Sequence, residues 1–313
     1  MKVVFQKFKK EVFIMITLLT LIAGAELVSS IVNAQTLDTL VNMDIHNFFY
    51  KAICLVVIFA FYLLFTYMLI RYQAYFNQKV ATWLRDRISH SIEATSYGRF
   101  YEKNSQTYIS WFTSDLEQIK GNAMNPTFEV IGGIISAVIS AVALFMYHWS
   151  IVLLAAICIV IMAVLPALFS AELTEKTIKV SEANEKFAKS ISDLLSGYDT
   201  LFVFRKLAYL KEKIHEKSVE VGDTHRDFSK SMAKVAVSGG IGNVFSQISV
   251  FILTGYLAYI GEVSIGSILA AMALSSTIFN VLGNISQKIG SIKSADSLFN
   301  KYEQLEPAAL VEE

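Results

Sequence analysis

Glu26 is the one acidic or basic residue inside the apolar stretches of this chain. It stands midway along a run rich in valine, isoleucine and leucine, and Ser29, Ser30 and Asn33 follow at helical spacing. A carboxyl group in such surroundings is expensive to hold unless it faces a cavity or a partner. Two readings stand. Glu26 is a cavity acid that binds a cationic group or a proton, with Ser30 and Asn33 beside it. Or it is a protonated or hydrogen-bonded acid packed against another helix. A second polar set lies nearer the C-terminus. Ser276, Asn280, Asn284 and Gln287 follow at i, i+4, i+8 and i+11, on one helical face. Asn243 and Gln247 repeat the spacing. The stripe is either the polar wall of a cavity or a set of hydrogen bonds between helices. Gly132 and Gly133, with Ser136 and Ser140, are small residues spaced for close helix approach.

Other chemistry is missing from the sequence. A phosphate loop needs G-x-x-x-x-G-K-[ST], because backbone amides and the lysine cradle the phosphates, and no such string occurs. The glycine-rich piece Gly239-Gly240-Ile241-Gly242 has no lysine beside it. H-E-x-x-H, G-x-S-x-G and C-x-x-C are absent too. Cys54 and Cys158 alone make neither a disulfide framework nor a thiolate metal site. The chain itself reads as no enzyme, with no catalytic, cofactor or metal residue. Lys+Arg and Asp+Glu are 27 each, and a net charge of zero argues against a nucleic-acid binder.

The elements that must position Glu26 and the amides follow from where the apolar residues cluster. Of 313 residues 54% are hydrophobic and 17% charged, well below the ~25% charged of a soluble domain. Apolar residues fill 15 of 21 positions in Val12–Val32, 18 of 19 in Ala52–Ile70 and 14 of 18 in Val130–Tyr147. They fill 19 of 21 in Ile151–Ala171, 12 of 17 in Val244–Ile260 and 13 of 21 in Ile265–Ile285. A hydrocarbon core of about 30 Å needs about 20 helical residues. The sequence therefore predicts six spans, at about 12–34, 48–72, 128–147, 150–172, 238–260 and 264–287. The first block, behind Lys2, Lys7, Lys9 and Lys10, could instead be a signal peptide ending at Val32-Asn33-Ala34. Its length, and the five spans after it, favour a retained helix.

Charge sets the expected orientation. Apart from Lys51, all basic residues, 26 of 27, fall on one side of this six-span layout. The positive-inside rule makes that side cytoplasmic, with both termini there. Tyr147 and Trp149 suit the aromatic belt at the other interface. The outer connections are short. Two insertions, at about 73–127 and 173–237, project inward. Glu172–Lys217 holds one glycine and no proline, and Glu175/Lys179, Glu182/Lys186 and Glu185/Lys189 pair at helical spacing. The expectation is that spanning helices continue into the cytoplasm as rods, about 28 residues and ~40 Å per arm, and turn back.

Local sequence then matches a known family. Phe100–Gln118, FYEKNSQTYISWFTSDLEQ, resembles the first intracellular loop of type I ABC exporters, F-F-x-x-x-x-x-G-x-x-x-S-R-x-x-x-D. Ser110 and Asp115 match, while Gln106 stands for the usual glycine and Trp111 for the arginine. Asp193–Phe204, DLLSGYDTLFVF, resembles the second loop. Gly261–Ala271, GEVSIGSILAA, resembles the entrance to the sixth span, with Gly261 and Gly266 as the glycines of its G-x-x-x-x-G-x-L core. Trp149-Ser150-Ile151 is similar to the tryptophan that opens the fourth span.

The resemblance covers residues 1–305 and implies an all-α membrane fold, six long transmembrane helices with cytoplasmic extensions. It implies a dimer with a second transmembrane half, identical or different. Coupling helices at the hairpin tips, near Ser105–Thr113 and Glu185–Leu195, would dock on nucleotide-binding domains. Ser105, Gln106, Tyr108, Ile109, Phe112, Lys186, Phe187, Ser190, Ile191 and Leu194 would make that contact. Spans four and five would exchange between subunits. Glu26, Ser30, Asn33, Asn243, Gln247, Ser276, Asn280 and Asn284 become candidates for the translocation cavity. ATP and Mg are expected in a nucleotide-binding domain outside this chain, with 306–313 the start of a linker towards it and truncation of a longer protein the favoured explanation. The implied function is outward movement of a peptide, lipid or drug-like substrate across the cell membrane. The alternative is a non-ABC polytopic channel or scaffold whose hairpins bind another partner, with membrane lipids as neighbours either way.

Overall fold

The computed structural model describes residues 2–303. The linker expected at 306–313 lies outside the described residues. The elements in chain order are α1 (Lys2–Lys7), α2 (Lys9–Val41), α3 (Ile45–Glu93), α4 (Tyr97–Tyr101), α5 (Ser105–Phe112) and α6 (Ser114–Ile119). After a π-helical turn at Lys120–Met124 come α7 (Asn125–Tyr147), α8 (Trp149–Ser196), α9 (Tyr198–Val203), α10 (Leu207–Tyr259) and α11 (Ser267–Glu303). There is no strand among the described residues. Among the described residues six helical stretches are long and apolar enough to cross a membrane. Their apolar side chains are largely uncovered. Val56, Phe59, Phe61, Leu63 and Leu64 of α3 are all exposed. In water such a surface would aggregate; in a bilayer, lipid covers it. The fold is all-α and membrane-spanning.

The turns between spans are chemically specified. Asp44 caps α3, its carboxylate accepting from the Asn47 backbone N–H at 3.1 Å and side-chain amide at 2.6 Å. Those two donors hold the Asp44 carboxyl below the usual carboxylate range. Gly261, between α10 and α11, has φ +82°, a conformation in which an L side chain is strained.

The chain divides into two compact units. One runs to Ala155 and resumes at Ser249; the other is Ala156–Ile248. In the first unit the tightest packing lies where α3 and α7 leave the apolar stretches. Phe76, Val80, Leu84 and Ile88, one face of α3, are buried with Tyr108, Trp111, Leu116, Ile119 and Phe128. Phe76 meets Phe128 edge-on at 5.3 Å, and Phe8 adds a third ring at 6.1 Å from Phe76. Polar pairs flank this core. Asn125 Oδ1 accepts from Asn77 Nδ2 at 2.8 Å and from Gln73 Nε2 at 3.0 Å. Asn125→Leu keeps the volume but leaves the buried Asn77 amide unpaired. Its expected cost is about 1–3 kcal/mol, read as a lower thermal unfolding midpoint of the purified chain.

The first hairpin departs from the rod picture. Its first arm is a rod, because α3 runs unbroken to Glu93. Its return is not. Tyr97–Met124 is three short helices and a π-helical turn. The breaks fall at residues that compete with helix for the backbone. The Asn104 side chain accepts from Gln106 N–H at 3.2 Å, and Thr113 leaves helical geometry with φ −122° and ψ −89°. Ser96, Gly98, Gly121 and Pro126 mark the same stretch in sequence.

The second unit fits the rod expectation. α8 runs 48 residues without a break, through Pro166, and α10 runs 53. Within Ala156–Ile248 they pair antiparallel. The Glu172 carboxylate accepts from Ser231 and from Lys234, each at 2.8 Å. Asn184 meets His225 at 3.3 Å. A methyl built on Gly239 would touch the Pro166 ring at 3.6 Å, so the two backbones run close there. On the solvated face, Lys179 holds the Glu175 carboxyl below its usual range across 2.6 Å. Such exposed pairs add little stability.

Candidate functional site

The two hairpin turns each carry a short helix with uncovered apolar side chains. In the first, α3 ends at Glu93 and the chain reverses through α4. Tyr97 and Tyr101 of α4 are 81% and 67% exposed, their rings 4.8 Å apart. In the second, α8 ends at Ser196 and reverses through α9. Phe202, Val203 and Phe204 there are 60%, 74% and 71% exposed. Arg205, with φ +53°, closes the turn, its N–H donating to the Phe202 carbonyl at 3.0 Å.

These turns are displaced from the positions expected at 105–113 and 185–195. Ser105, Gln106, Tyr108, Ile109 and Phe112 all lie on α5, on the return side of the first hairpin. Ser105, Gln106 and Ile109 are exposed, but Tyr108 is buried. Its ring stacks on Phe100 at 4.7 Å and its hydroxyl donates to the Phe100 carbonyl at 3.1 Å. Phe112 packs against the aromatic core, and its carbonyl accepts from Arg85 Nε at 3.4 Å. Lys186, Phe187, Ser190, Ile191 and Leu194 form part of the last turns of α8 rather than a separate helix. Lys186, Phe187 and Ser190 line a cavity of about 330 Å³ whose other wall is Lys217, Glu220 and Val221 of α10. They therefore face their own returning arm. The exposed apolar residues at the turns themselves, Tyr97, Tyr101 and Phe202–Phe204, are not among those named from the sequence. The signal was present: Gly197 and Arg205-Lys206 bracket an apolar run that a solvated rod does not need.

Inside the spans, the polar candidates divide between the units. Glu26, Ser30, Asn33, Ser276, Asn280 and Asn284 belong to the first, Asn243 and Gln247 to the second. Their hydrogen bonds stay on their own helices among the described residues. Ser29 and Ser30 donate to the backbone carbonyl of Glu26, at 2.8 and 3.0 Å, and leave its carboxyl alone. Asn280 Nδ2 donates to Ser276 Oγ at 3.3 Å and Asn284 Nδ2 to the Asn280 carbonyl at 2.9 Å. Gln247 Nε2 donates to Asn243 Oδ1 at 2.7 Å. Asn33, Asn280 and Asn284 are exposed; Glu26, Ser30, Ser276, Asn243 and Gln247 are half-buried. No described bond from these residues joins two helices, so they are not the interhelical glue of this chain.

Side chains packed onto glycines and polar joints near the helix ends hold the first unit's spans instead. A methyl on Gly132 would stand 2.7 Å from Leu19 Cδ2 of α2, and one on Gly133 3.0 Å from Val281 Cγ1 of α11. At the short-loop end, the Gly266 N–H donates to Asp38 Oδ1 at 2.7 Å. On the flank of α2 facing α7 lies an apolar groove of about 540 Å³, lined by Leu27, Ile31, Val138, Val142, Met146 and Tyr147 among others.

Helices thus run continuously from apolar stretches into charged arms that end at uncovered apolar turns. The family model described as ABC transporter transmembrane region matches residues 12–282. A search of curated proteins gives no match.

Proposed function

Because the chain belongs to the ABC transporter transmembrane family, we propose that it is the substrate-translocating half of an ATP-driven exporter. It sits in the cell membrane with both termini cytoplasmic, as the basic residues of the charged arms suggest. It works with a second transmembrane half, identical or different, and with nucleotide-binding domains that bind ATP and Mg and hydrolyse the nucleotide. This chain carries no phosphate loop of its own, so its part is mechanical.

The observation that carries the reading is the pair of apolar turns on long rods. α8 continues 24 residues past the apolar stretch that ends near 172, about 36 Å at about 1.5 Å per residue. A docked ATPase that closes on nucleotide moves α4 and α9. The rods carry that displacement to the spans and switch the polar cavity from inward-facing to outward-facing. The unbroken arms α3, α8 and α10 suit this role, because slack would dissipate the stroke. In this reading spans four and five, whose charged arms belong to the Ala156–Ile248 unit, exchange between the two halves.

The test is reconstitution. The chain, co-expressed with a nucleotide-binding domain of its own operon or its own longer gene product, is expected to purify as a complex. In proteoliposomes the complex should hydrolyse ATP and accumulate a hydrophobic dye against its gradient. A chain that recruits no ATPase, or that conducts without ATP, would instead be a channel or scaffold.

A further inference from the structure

We propose that Glu26 is the recognition point for an organic cation, so that the cargo of this half-transporter is a cationic amphipath. Four observations carry it. Glu26 is half-buried on a face of α2 that is turned inward at Met15 and Ala23 and is exposed at Asn33. Met15, Leu19, Ala23, Glu26, Ser30 and Asn33 fall within a sector of about 80°, and Met15 and Ala23 on that face are 0% and 2% exposed. The carboxyl receives no hydrogen bond among the described residues; its serine neighbours bond to backbone.

No base is available to neutralise it. The six apolar blocks contain no lysine, arginine or histidine, so a second copy of this chain brings none either. A carboxyl group at this depth is then neutral with a proton bound or, when ionised, is paired by a cation that this chain does not supply.

The facing helix is prepared for a polar guest. Ala34 lies against Gly266, while Leu19 and Val281 lie against the adjacent Gly132 and Gly133. Glu26, midway between Leu19 and Ala34, is therefore level with the first turns of α11, near Ala273. There the Ser275 hydroxyl is completely buried without a partner, while Ser276 and Asn280 lie on another face of α11, where Asn280 is exposed. An uncompensated buried hydroxyl is costly unless something else occupies the site.

Finally, the apolar groove of about 540 Å³ begins at Leu27, the next residue, on the adjoining flank of α2. A ligand with a charged centre and an apolar body finds a partner for each within one helical turn.

The inference rests on the exporter reading only for the ligand's being cargo; binding itself needs no ATPase and is measured on the full chain in detergent. Tetraphenylphosphonium and tetraphenylborate have nearly the same size and shape and opposite charge. By equilibrium dialysis, the wild type is expected to bind the phosphonium saturably and at least tenfold more tightly than the borate. Glu26→Gln should weaken phosphonium binding at least tenfold and leave the borate unchanged. Equal affinities in the wild type, no saturable phosphonium binding, or an unaltered Glu26→Gln variant would each overturn the proposal. Should Glu26→Gln fail to fold, the wild type supplies the second measurement. Dicyclohexylcarbodiimide is expected to label Glu26, located by peptide mass spectrometry, at a rate that the phosphonium lowers at least tenfold and the borate does not. Labelling that ignores the phosphonium, or that both ions slow alike, sinks the assignment. Loss of ATPase recruitment with cation binding intact would overturn the transport reading alone.

Discussion

A single methyl group added at Gly266 is expected to keep the chain from reaching its folded state. Built on the existing backbone, that carbon would sit 1.9 Å from the Ala34 carbonyl oxygen, 2.7 Å from the Ala34 carbonyl carbon and 2.8 Å from the Asp38 carboxyl carbon. Two of these three atoms are backbone, so no rotamer change relieves the clash. The two helices must part, and parting them also breaks the Gly266 N–H bond to Asp38. Ordinary overpacking costs about 1–3 kcal/mol. Here both a rigid contact and a buried polar joint are lost, and the expected cost exceeds about 3 kcal/mol, a large share of a typical ~5–15 kcal/mol stability. Gly266→Ala should therefore give little monodisperse protein by fluorescence-detected size exclusion. Gly255→Ala is the control. It too lies in a span, but its added methyl meets nothing within 4 Å, and removing a helical glycine favours the helix by about 0.5–1 kcal/mol. Equal yields and equal melting of the two variants would show that the α2–α11 joint is not this close.

The second large effect is functional. An aspartate at Phe202 or Phe204 is expected to reduce ATP-dependent transport at least tenfold while melting temperature and dimer formation stay unchanged. Both rings are mostly uncovered in the chain, so their removal takes little from the fold. If they anchor a docked ATPase, each is worth the ~2 kcal/mol or more of an interface hot spot, about thirtyfold in affinity. Phe112→Asp and Leu194→Asp make the contrast, since Phe112 packs on the aromatic core and Leu194 is half-buried near the end of α8. Those two should lower stability first. Uncoupling by Phe112→Asp and Leu194→Asp at full stability, with Phe202→Asp silent, would return the docking site to the α5 and α8 positions.

Span number was readable because each block stands out by composition alone, 18 of 19 apolar residues in Ala52–Ile70 being an extreme case. The charged arms of α8 and α10 were readable too, since Glu and Lys at helical spacing with one glycine leave few alternatives. The return of the first hairpin was harder. Its Ser, Thr and Asn residues each tolerate helix, and only their side-chain bonds to backbone, as at Asn104, decide that the helix stops. Tip placement failed for a related reason. Tyr108 and Phe112 look like docking aromatics in sequence, and what covers them depends on how the chain folds back, Tyr108 onto Phe100 eight residues earlier and Phe112 onto the core around Phe76. Gly266 was visible as part of a pattern, but nothing local says that its missing side chain is filled by a carbonyl 232 positions earlier, at Ala34.

The brevity of the turns at one end has an immunological consequence. Spans are joined there by Asn42–Asp44, by His148 alone, and by Ile260–Gly266. An antibody paratope covers about 800 Å², far more than three such turns present as continuous peptide. Binders raised against the folded protein should therefore cluster on the charged hairpins. With these turns outermost, as proposed above, a reagent that recognises intact cells would have to be selected for a conformational epitope spread across several helix ends, and a peptide immunogen copied from any one turn should fail.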